Sequence, residues 1–186
     1  MKAFDNRIEM LDYYLSDNLT GAEIGVFTGE FSKHLISKNP NKLYLVDLFD
    51  GVAGSGDVDG NNFHWANLSD VYESLISQYK NSNIEIFKGY SSQFFQTIPN
   101  DHLDYIYIDA DHSYQGCKLD LENALLKVKN GGYIFGHDYT INTVKAKNHY
   151  EFGVRQAVDE ICLQYNLTVE SIAYDGCTSF CFKNVK

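Results

Sequence analysis

Five short apolar runs, separated by segments of helical period, constrain the fold of this chain more than any other feature of its sequence. The runs are rich in β-branched and aromatic residues, and they are apolar on both faces. Strands of this kind suit a parallel sheet that is covered on both sides, because a half-exposed strand would alternate apolar with polar residues. The runs cover residues 20–26, 42–48, 83–89, 103–109 and 132–138.

The segments between these runs have the spacing of helices that bury one face. In residues 68–79 the apolar side chains recur three or four positions apart, and residues 117–128 show the same pattern. A further helix is predicted to open near Glu151, and another lies in an N-terminal helical segment, 1–18. Helices that connect parallel strands predict a doubly wound α/β sheet.

The C-terminal segment breaks this alternation. Two strand-like stretches, 167–174 and 177–183, flank Asp175-Gly176, which is a strong signal for a hairpin turn. The mostly parallel sheet should therefore end in an antiparallel hairpin and contain seven strands, whereas a dinucleotide-binding Rossmann domain usually has about six parallel ones. With 44% of its 186 residues hydrophobic, the chain is expected to form one domain over residues 1–186.

The charge balance argues against a nucleic-acid partner. Acidic residues outnumber basic ones 25 to 15, which gives a net charge of −10, and no stretch gathers Lys and Arg into a basic stripe. No apolar run approaches the roughly 20 residues that cross a bilayer, so no membrane partner is expected. The four cysteines form no C-x-x-C pair, and the N-terminus lacks a signal-peptide core. We therefore expect a cytoplasmic protein with reduced thiols, and a homodimer is compatible with the sequence.

The turn after the first predicted strand indicates a ligand without phosphates. A dinucleotide fingerprint needs G-x-G-x-x-G, in which the second glycine lets the backbone approach the pyrophosphate. Here Glu23, Gly25 and Gly29 spell E-x-G-x-x-x-G, and Phe27 occupies the place of that second glycine. Asp47 closes the second strand, where its carboxylate could hold both hydroxyls of a ribose. The alternative is that the glycines merely form a tight turn and that Asp47 caps a strand.

Four stretches together resemble the class I S-adenosylmethionine-dependent methyltransferases, and within them the small branch of sugar and natural-product O-methyltransferases. The third stretch is the most specific, since an acidic-histidine cluster after the fourth strand is followed there by G-G-x-I-x-G-H-D. One departure is Phe27, where many members of the wider class carry a glycine. The four stretches are AEIGVFTGEFS, LYLVDLFDG, LDYIYIDADHSYQGCKLDLENALLKVKNGGYIFGHDY and GVRQAVDE.

The resemblance implies S-adenosylmethionine as the cofactor, together with a set of residues that bind it. Glu23 is expected to contact the methionine end, and Asp47 to hold the ribose. The stretch KGYSSQFF matches the place where such enzymes line the adenine, although Ser91 or Ser92 could instead be the N-cap of a helix. The complete set expected to bind the cofactor is Glu23, Gly25, Phe27, Gly29, Asp47, Tyr90, Ser91 and Asp109.

In the fold that the resemblance implies, acidic residues and histidines follow two neighbouring strands. The fourth and fifth predicted strands should lie about 4.8 Å apart, which brings Asp109, Asp111 and His112 close to His137 and Asp138. Carboxylates with an imidazole suit Mg²⁺ or Mn²⁺, and the expected ligands are Asp109, His137 and Asp138. His112 is then the expected general base, and Asp111 orients it or joins the metal. Alternatively, Asp111 and His112 cap the following helix and Asp138 stabilises a turn.

These features predict an enzyme that moves a methyl group to a hydroxyl of a small-molecule acceptor, such as a sugar or a glycosylated metabolite. The loops 48–65 and 138–152 lie at the carboxyl ends of strands and are predicted substrate lids, or else disordered surface loops. Two alternatives to a metal-dependent enzyme remain open. One is a metal-independent methyltransferase with Asp109 or His112 as the base, and the other is a nucleoside-binding module without turnover.

Overall fold

An eight-stranded sheet forms the centre of the protein in the computed structural model, which describes residues 1–55, 64–140 and 153–186. The strands are β1 (Lys2–Phe4), β2 (Thr20–Ile24), β3 (Lys42–Asp47), β4 (Val52–Ser55), β5 (His64–Asn67), β6 (Ile84–Lys88), β7 (Leu103–Ile108), β8 (Val128–Gly136), β9 (Val169–Tyr174) and β10 (Thr178–Lys183). The helices are α1 (Arg7–Tyr14), α2 (Ser32–Ser37), α3 (Leu68–Gln78), α4 (Ser91–Thr97), α5 (Tyr114–Lys127) and α6 (Val154–Gln164). The strand order across the large sheet is β1-β9-β10-β8-β7-β2-β3-β6, and β4 pairs with β5 in a separate sheet.

The five apolar runs of the sequence are the five parallel strands β2, β3, β6, β7 and β8. β2 pairs with β3 on one side and with β7 on the other. β7 pairs in turn with β8, which places Ile108 beside Gly136 at the carboxyl ends of both strands. The expected doubly wound α/β sheet is therefore confirmed, and the residues that follow β7 and β8 lie side by side.

The predicted C-terminal hairpin is also confirmed. β9 and β10 run antiparallel on either side of Asp175 and Gly176, and Gly176 has a φ of 101°, which glycine adopts without strain. β10 inserts between β9 and β8 and is antiparallel to both. The insertion brings Asp175, at the turn of the hairpin, close to His137 beyond the end of β8.

The sheet has one strand more than the seven that the sequence predicted. β1 runs parallel to β9 and lies in the segment 1–18, which was expected to be helical. The helix itself begins after Asn6, whose side chain accepts a hydrogen bond from the Glu9 N–H. A strand of 3 residues is too short to show a period in the sequence. It forms here because the edge of β9 offers unpaired backbone groups.

Helices cover both faces of the sheet, and each face has its own apolar core. Successive residues of β7 point to opposite faces, so that Ile106 and Ile108 enter one core while Tyr105 and Tyr107 enter the other. Burial on both faces explains why the parallel strands are apolar throughout. The helices contribute Phe94, Leu121 and Val158 to the first core and Leu11, Leu35 and Leu75 to the second.

The predicted crossover helices are α3 and α5, and α6 is the further helix that was predicted. α2 was not predicted, and α4 was predicted only as an alternative to an adenine-binding stretch. α2 has 6 residues and α4 has 7, which is too short for a clear helical period. The helix that was predicted to open near Glu151 is α6, which begins at Val154. In the three described ranges, no helix is both long and apolar enough to cross a membrane.

The two predicted lids fall partly outside the described residues. The first, 48–65, contains β4 and part of β5, which pair antiparallel, while residues 56–63 lie outside the described ranges. Of the second, 138–152, the structure describes only residues 138–140.

A buried asparagine fastens the segment after β10 to α5 and β8. Asn184 is 1% exposed, and its side-chain amide donates to the backbone carbonyls of Leu125 and Val128. We expect Asn184→Ala to lower the free energy of unfolding by about 2–4 kcal/mol, because it leaves buried carbonyls without donors. Denaturant titration measures this change. The control is Asn123→Ala, whose amide donates to the exposed Leu119 carbonyl, and an equal loss in both variants would contradict the explanation.

Candidate active site

A cavity of about 700 Å³ opens at the carboxyl ends of β2, β3 and β7. Its walls are the turn after β2, the end of β3, the start of α4 and the segment between β7 and α5. Gly29, with a φ of 79°, shapes the turn after β2 but lines a neighbouring cavity against α3. The other residues expected to bind the cofactor all line the main cavity, and they are Glu23, Gly25, Phe27, Asp47, Tyr90, Ser91 and Asp109.

Gly25 occupies a position that tolerates no side chain. Its φ is 92°, and a Cβ atom there would lie 2.0 Å from the carbonyl oxygen of Asp109. Its N–H donates to the carbonyl of Val46, so the backbone is held between the ends of β3 and β7. The glycine therefore allows the turn after β2 to lie directly against the first residue of the acidic-histidine segment.

Asp47 organises the turn after β2 as well as lining the cavity. Its Oδ2 accepts hydrogen bonds from the N–H groups of Val26 and Phe27 at 2.8 and 2.9 Å, and its Oδ1 accepts one from Phe49 at 2.8 Å. Phe27 takes the left-handed region, with a φ of 54°, under this restraint. A carboxylate offers about four acceptor positions, so roughly one remains for a ribose hydroxyl. Asp47 therefore stabilises the backbone at the ends of β2 and β3, which is a structural role of the kind that the sequence left open. Its contact with a ribose stays a prediction.

Glu23 presents a carboxyl group to the cavity wall from inside the sheet. It is 1% exposed, and its Oε2 has no hydrogen-bond partner among the described residues. Burial raises the pKa of Glu23 to about 8, and the negative charges of Asp109 and Asp47 act in the same direction. An unpartnered carboxyl oxygen at a cavity wall suits a cationic ligand group such as an ammonium.

The start of α4 forms the wall where the adenine was expected. The N-cap of this helix is Tyr90, which is 63% exposed, rather than Ser91 or Ser92 as the sequence alternative had it. Ser91 Oγ instead donates a hydrogen bond to Asp120 Oδ1 at 2.6 Å. Asp120 is 3% exposed, and burial raises its pKa to about 6. This end of the cavity therefore carries a hydroxyl and a buried carboxyl group.

The residues that follow β7 and β8 come together as the sequence predicted. Asp109 Oδ1 lies 3.2 Å from His112 Nε2 and 3.8 Å from His137 Nδ1. Asp138 Oδ2 lies 3.2 Å from the same His112 nitrogen and 3.3 Å from His137 Nδ1. One ligand atom each from Asp109, His137 and Asp138 lie within 4.8 Å of one another. We call Asp109, His112, His137 and Asp138 the acid-histidine cluster.

Opposite charges set the protonation of the acid-histidine cluster. The hydrogen bond to Asp109 raises the pKa of His112, and the charge of Asp138 adds to the effect against the opposing influence of burial. Burial alone would raise the pKa of Asp138, but its hydrogen bond with His137 and the two imidazole charges lower it. The two carboxylates therefore favour the protonated form of His112, and a cation bound to them would make the imidazole a better base.

Asp111 lies at the start of α5. Its Oδ1 accepts a hydrogen bond from the Ser113 N–H at 2.8 Å, and its carboxylate packs against Gly116. The N-cap of α5 is Ser113, whose Oγ accepts a hydrogen bond from the Gly116 N–H, so the alternative that Asp111 caps this helix is wrong. Asp111 also acts on His112 through its charge, which contributes to the raised pKa of that imidazole. Its role in catalysis stays a prediction.

Three residues of the site were not among the site residues that the sequence predicted. Arg7 and Asp120 line the cavity, and Asp175 lies 3.8 Å from His137 Nε2. A signal for Asp120 was available, since this acidic residue falls on the buried stripe of α5. The sequence contains no signal that assigns Arg7 or Asp175 to the site, because both residues reach it only through the packing of α1 and of the C-terminal hairpin.

The family comparison decides the enzyme class. A family model described as a methyltransferase domain matches residues 22–139, which includes the turn after β2 and the whole acid-histidine cluster. The chain belongs to this methyltransferase family. The predicted S-adenosylmethionine-dependent methyltransferase is thus confirmed at the level of enzyme class. A comparison with curated protein sequences finds no significant match.

Solved structures share the fold of this methyltransferase over nearly its whole length. An rRNA methylase from Streptococcus thermophilus gives a TM-score of 0.63 at 11% identity, covering 96% of this chain and 94% of that one. A Streptococcus mutans protein described as a methyltransferase, in complex with S-adenosylhomocysteine, gives 0.63 at 10% identity, with 95% and 94% covered. The N-methyltransferase NodS from Bradyrhizobium japonicum, in the same kind of complex, gives 0.63 at 15% identity, with 98% and 90% covered. At such identities the likeness establishes the fold alone.

The close approach at Gly25 can be tested against a second glycine of left-handed conformation. Gly51 has a φ of 84° and no atom within 4 Å of a Cβ position. We expect Gly51→Ala to cost about 1–2 kcal/mol of unfolding free energy, from backbone strain alone. Gly25→Ala should cost about 2–5 kcal/mol, because its Cβ also strikes the Asp109 carbonyl. Denaturant titration compares the two variants, and equal costs would refute the steric explanation.

The raised pKa of Glu23 predicts a pH-dependent stability. Between pH values near 4.5 and 8, the folded protein keeps a proton on Glu23 that the unfolded chain has lost, so the unfolding free energy falls as pH rises. Glu23→Gln should abolish this contribution, which is on the order of 1.4 kcal/mol for each pH unit that separates the folded from the unfolded pKa. The difference between variant and wild type should therefore grow in favour of the variant from pH 5 to pH 8. Thermal melts across this pH range measure the difference in stability between Glu23→Gln and wild type. The control is Glu85→Gln, which changes an exposed side chain. A difference that stays constant with pH would show that Glu23 is ionised throughout.

Proposed function

We propose that the protein is an O-methyltransferase that uses Mg²⁺ or Mn²⁺ and acts on a hydroxyl of a small molecule. The observation that carries this proposal is the acid-histidine cluster beside the cofactor cavity. A hydroxyl must lose its proton to become a strong nucleophile, whereas a neutral amine already carries a free electron pair. A cation site next to an imidazole therefore favours a hydroxyl acceptor over an amine.

The donor set supports a hard divalent cation. The two carboxylates are the ligand type that Mg²⁺ and Mn²⁺ prefer, whereas the imidazole is more typical of transition metals. The distances between the ligand atoms allow one ion to contact all three. Asp138 is 7% exposed and lies close to Asp109, so a cation would offset the repulsion between the two negative charges. His137 turns Nδ1 toward both carboxylates, which makes Nδ1 its ligand atom in this proposal.

Each residue has a defined task in the proposed reaction. When bound, S-adenosylmethionine supplies the methyl group, and the cation lowers the pKa of the acceptor hydroxyl and orients it. His112 accepts the proton of that hydroxyl at Nε2. His112 can accept this proton once Asp109 and Asp138 serve as metal ligands. The hydrogen bond to Asp109 and the charge of Asp138 then no longer raise the pKa of His112. Glu23, whose Oε2 at the cavity wall is unpartnered among the described residues, would accept a hydrogen bond from the ammonium group of the cofactor.

A metal-independent reaction is the second candidate, and one observation favours it. His112 Nε2 lies 3.2 Å from both Asp109 and Asp138, so the imidazole itself already occupies the space between the carboxylates. Arg7 lies 3.7 Å from the other oxygen of Asp109 and adds a second positive charge. In this alternative the carboxylate of Asp109 or the imidazole of His112 removes the proton without a metal.

The proposed acceptor is a sugar or a glycosylated metabolite. The resemblance of the sequence to sugar and natural-product O-methyltransferases supports this choice, and the net charge of −10 disfavours a polyanionic acceptor. The names of the solved structures include an rRNA methylase and an N-methyltransferase, so this fold serves diverse acceptors. We propose the loops 48–65 and 138–152 as the lids that select the acceptor. Cytoplasmic location and a homodimer stay predictions.

Calorimetric titration with Mn²⁺ tests the cation site without an acceptor. Wild-type protein should bind one Mn²⁺, and Asp138→Ala should weaken that binding at least about tenfold, because a ligand is lost. His112→Ala should not weaken the binding, since a base acts on the transition state and the ion would no longer compete with the imidazole for Asp109 and Asp138. Asp101→Ala, which removes an exposed carboxylate, is the control.

Release of S-adenosylhomocysteine, measured over a panel of free sugars, glycosides and phenols, tests the reaction itself. Activity should vanish in excess EDTA and return with Mg²⁺ or Mn²⁺. His112→Ala should lower turnover by about 10²–10⁴-fold. Full activity in EDTA, together with no Mn²⁺ binding, would select the metal-independent alternative.

A further inference from the structure

Arg7 is fixed at the wall of the cofactor cavity by contacts from three separate parts of the chain. Its Nε lies 3.2 Å from Asp175 Oδ2, and its Nη1 lies 3.7 Å from Asp109 Oδ2 and 3.5 Å from the hydroxyl of Tyr107. The guanidinium carbon lies 4.9 Å from the centre of the Phe31 ring. The side chain is 28% exposed and lines the cavity. The guanidinium is therefore preorganised in one orientation.

The charges around the cavity are unbalanced. Arg7 is the one Lys or Arg among the described residues that line it. The acidic residues in the same lining are Glu23, Glu30, Asp47, Asp109, Asp111 and Asp120. Such a wall suits the two positive groups of S-adenosylmethionine, its sulfonium and its ammonium, but it repels the carboxylate at the methionine end.

We propose that Arg7 binds the α-carboxylate of S-adenosylmethionine. The location supports this assignment, because Arg7 lies 3.7 Å from Asp109, whose carbonyl packs against Gly25 in the turn where the methionine end is expected. Ser91 and Asp120, at the adenine side, lie by the start of α4. This inference rests on the cofactor alone and needs neither the cation nor the hydroxyl acceptor of the proposed function.

The donors of Arg7 allow this contact without breaking the existing ones. Nε is engaged by Asp175, whereas Nη2 has no hydrogen bond or ion pair within the described part of the chain. The contacts of Nη1 at 3.5 and 3.7 Å are long, so this nitrogen also retains donor capacity for a new acceptor. The planar fork of a guanidinium matches the two oxygens of a carboxylate.

A purely structural Arg7 is the competing explanation. In that case the side chain only ties α1 to the C-terminal hairpin through Asp175, and its loss would weaken every ligand equally. A pair of ligands that differ only in the carboxylate separates the two explanations. S-adenosylmethionine and decarboxylated S-adenosylmethionine form such a pair, since both carry the adenosine, the sulfonium and the ammonium.

The experiment measures the affinity of both compounds by calorimetry in the presence of EDTA. Wild-type protein should bind S-adenosylmethionine roughly 10- to 100-fold more tightly than the decarboxylated compound, as expected for a charge-assisted pair. In Arg7→Met the two affinities should differ by less than about threefold, and Arg7→Lys should give an intermediate ratio. Lys129→Met removes one positive charge at the opposite end of β7, near Asp104, and should keep the wild-type ratio.

Equal affinities in the wild-type protein would overturn the inference, and this result does not depend on the folding of any variant. A wild-type ratio that persists in Arg7→Met would overturn it as well, because the carboxylate would then bind elsewhere. If neither compound bound the wild-type protein, the cofactor assignment itself would fail and the inference with it. A carboxylate preference in a protein that binds no Mn²⁺ would support Arg7 while refuting the cation.

Discussion

The contact between Gly25 and the carbonyl oxygen of Asp109 sets the geometry of the active site. The Asp109 N–H donates to the carbonyl of Ile24, and the Gly25 N–H donates to the carbonyl of Val46. The parallel strands β2, β3 and β7 therefore end in register at this point. Because glycine has no Cβ, the turn after β2, where we propose that the cofactor binds, touches the first residue of the acid-histidine cluster. A methyl donor and an acceptor held on the two sides of this contact are close neighbours, and proximity of that kind lowers the entropic part of a transfer barrier.

The second constraint is the crowding of negative charge at one edge of the sheet, which the protein resolves in a different way for each acidic group. Burial keeps the carboxyl of Glu23 protonated to a high pH. Three backbone N–H groups satisfy Asp47, and imidazoles face Asp109 and Asp138. None of these solutions uses a lysine. The described edge therefore remains attractive to positively charged ligand groups, and S-adenosylmethionine brings two of them.

The sequence predicted the elements whose signals are local. The five parallel strands appear as apolar runs, and the hairpin appears as Asp175-Gly176 between two such runs. The acid-histidine cluster was predictable because its residues immediately follow two strands that the recognised fold places side by side. Strand β1 was missed since three residues show no period, and Arg7 was missed because nothing in its neighbourhood along the chain marks it. Its partners Asp109 and Asp175 become neighbours only when α1, β7 and the hairpin pack together.

The position of β10 has a consequence for synthesis of the protein. A nascent chain that ends after β8 already carries Gly25, Asp47 and the acid-histidine cluster. It lacks the strand that covers the outer edge of β8 and the Asp175 that holds Arg7 in place. On the ribosome, β8 is then an exposed edge of the kind that pairs readily with other chains. The site would therefore be completed late in translation, and β8 would stay open to pairing with other chains until β10 closes its long-range contact with it.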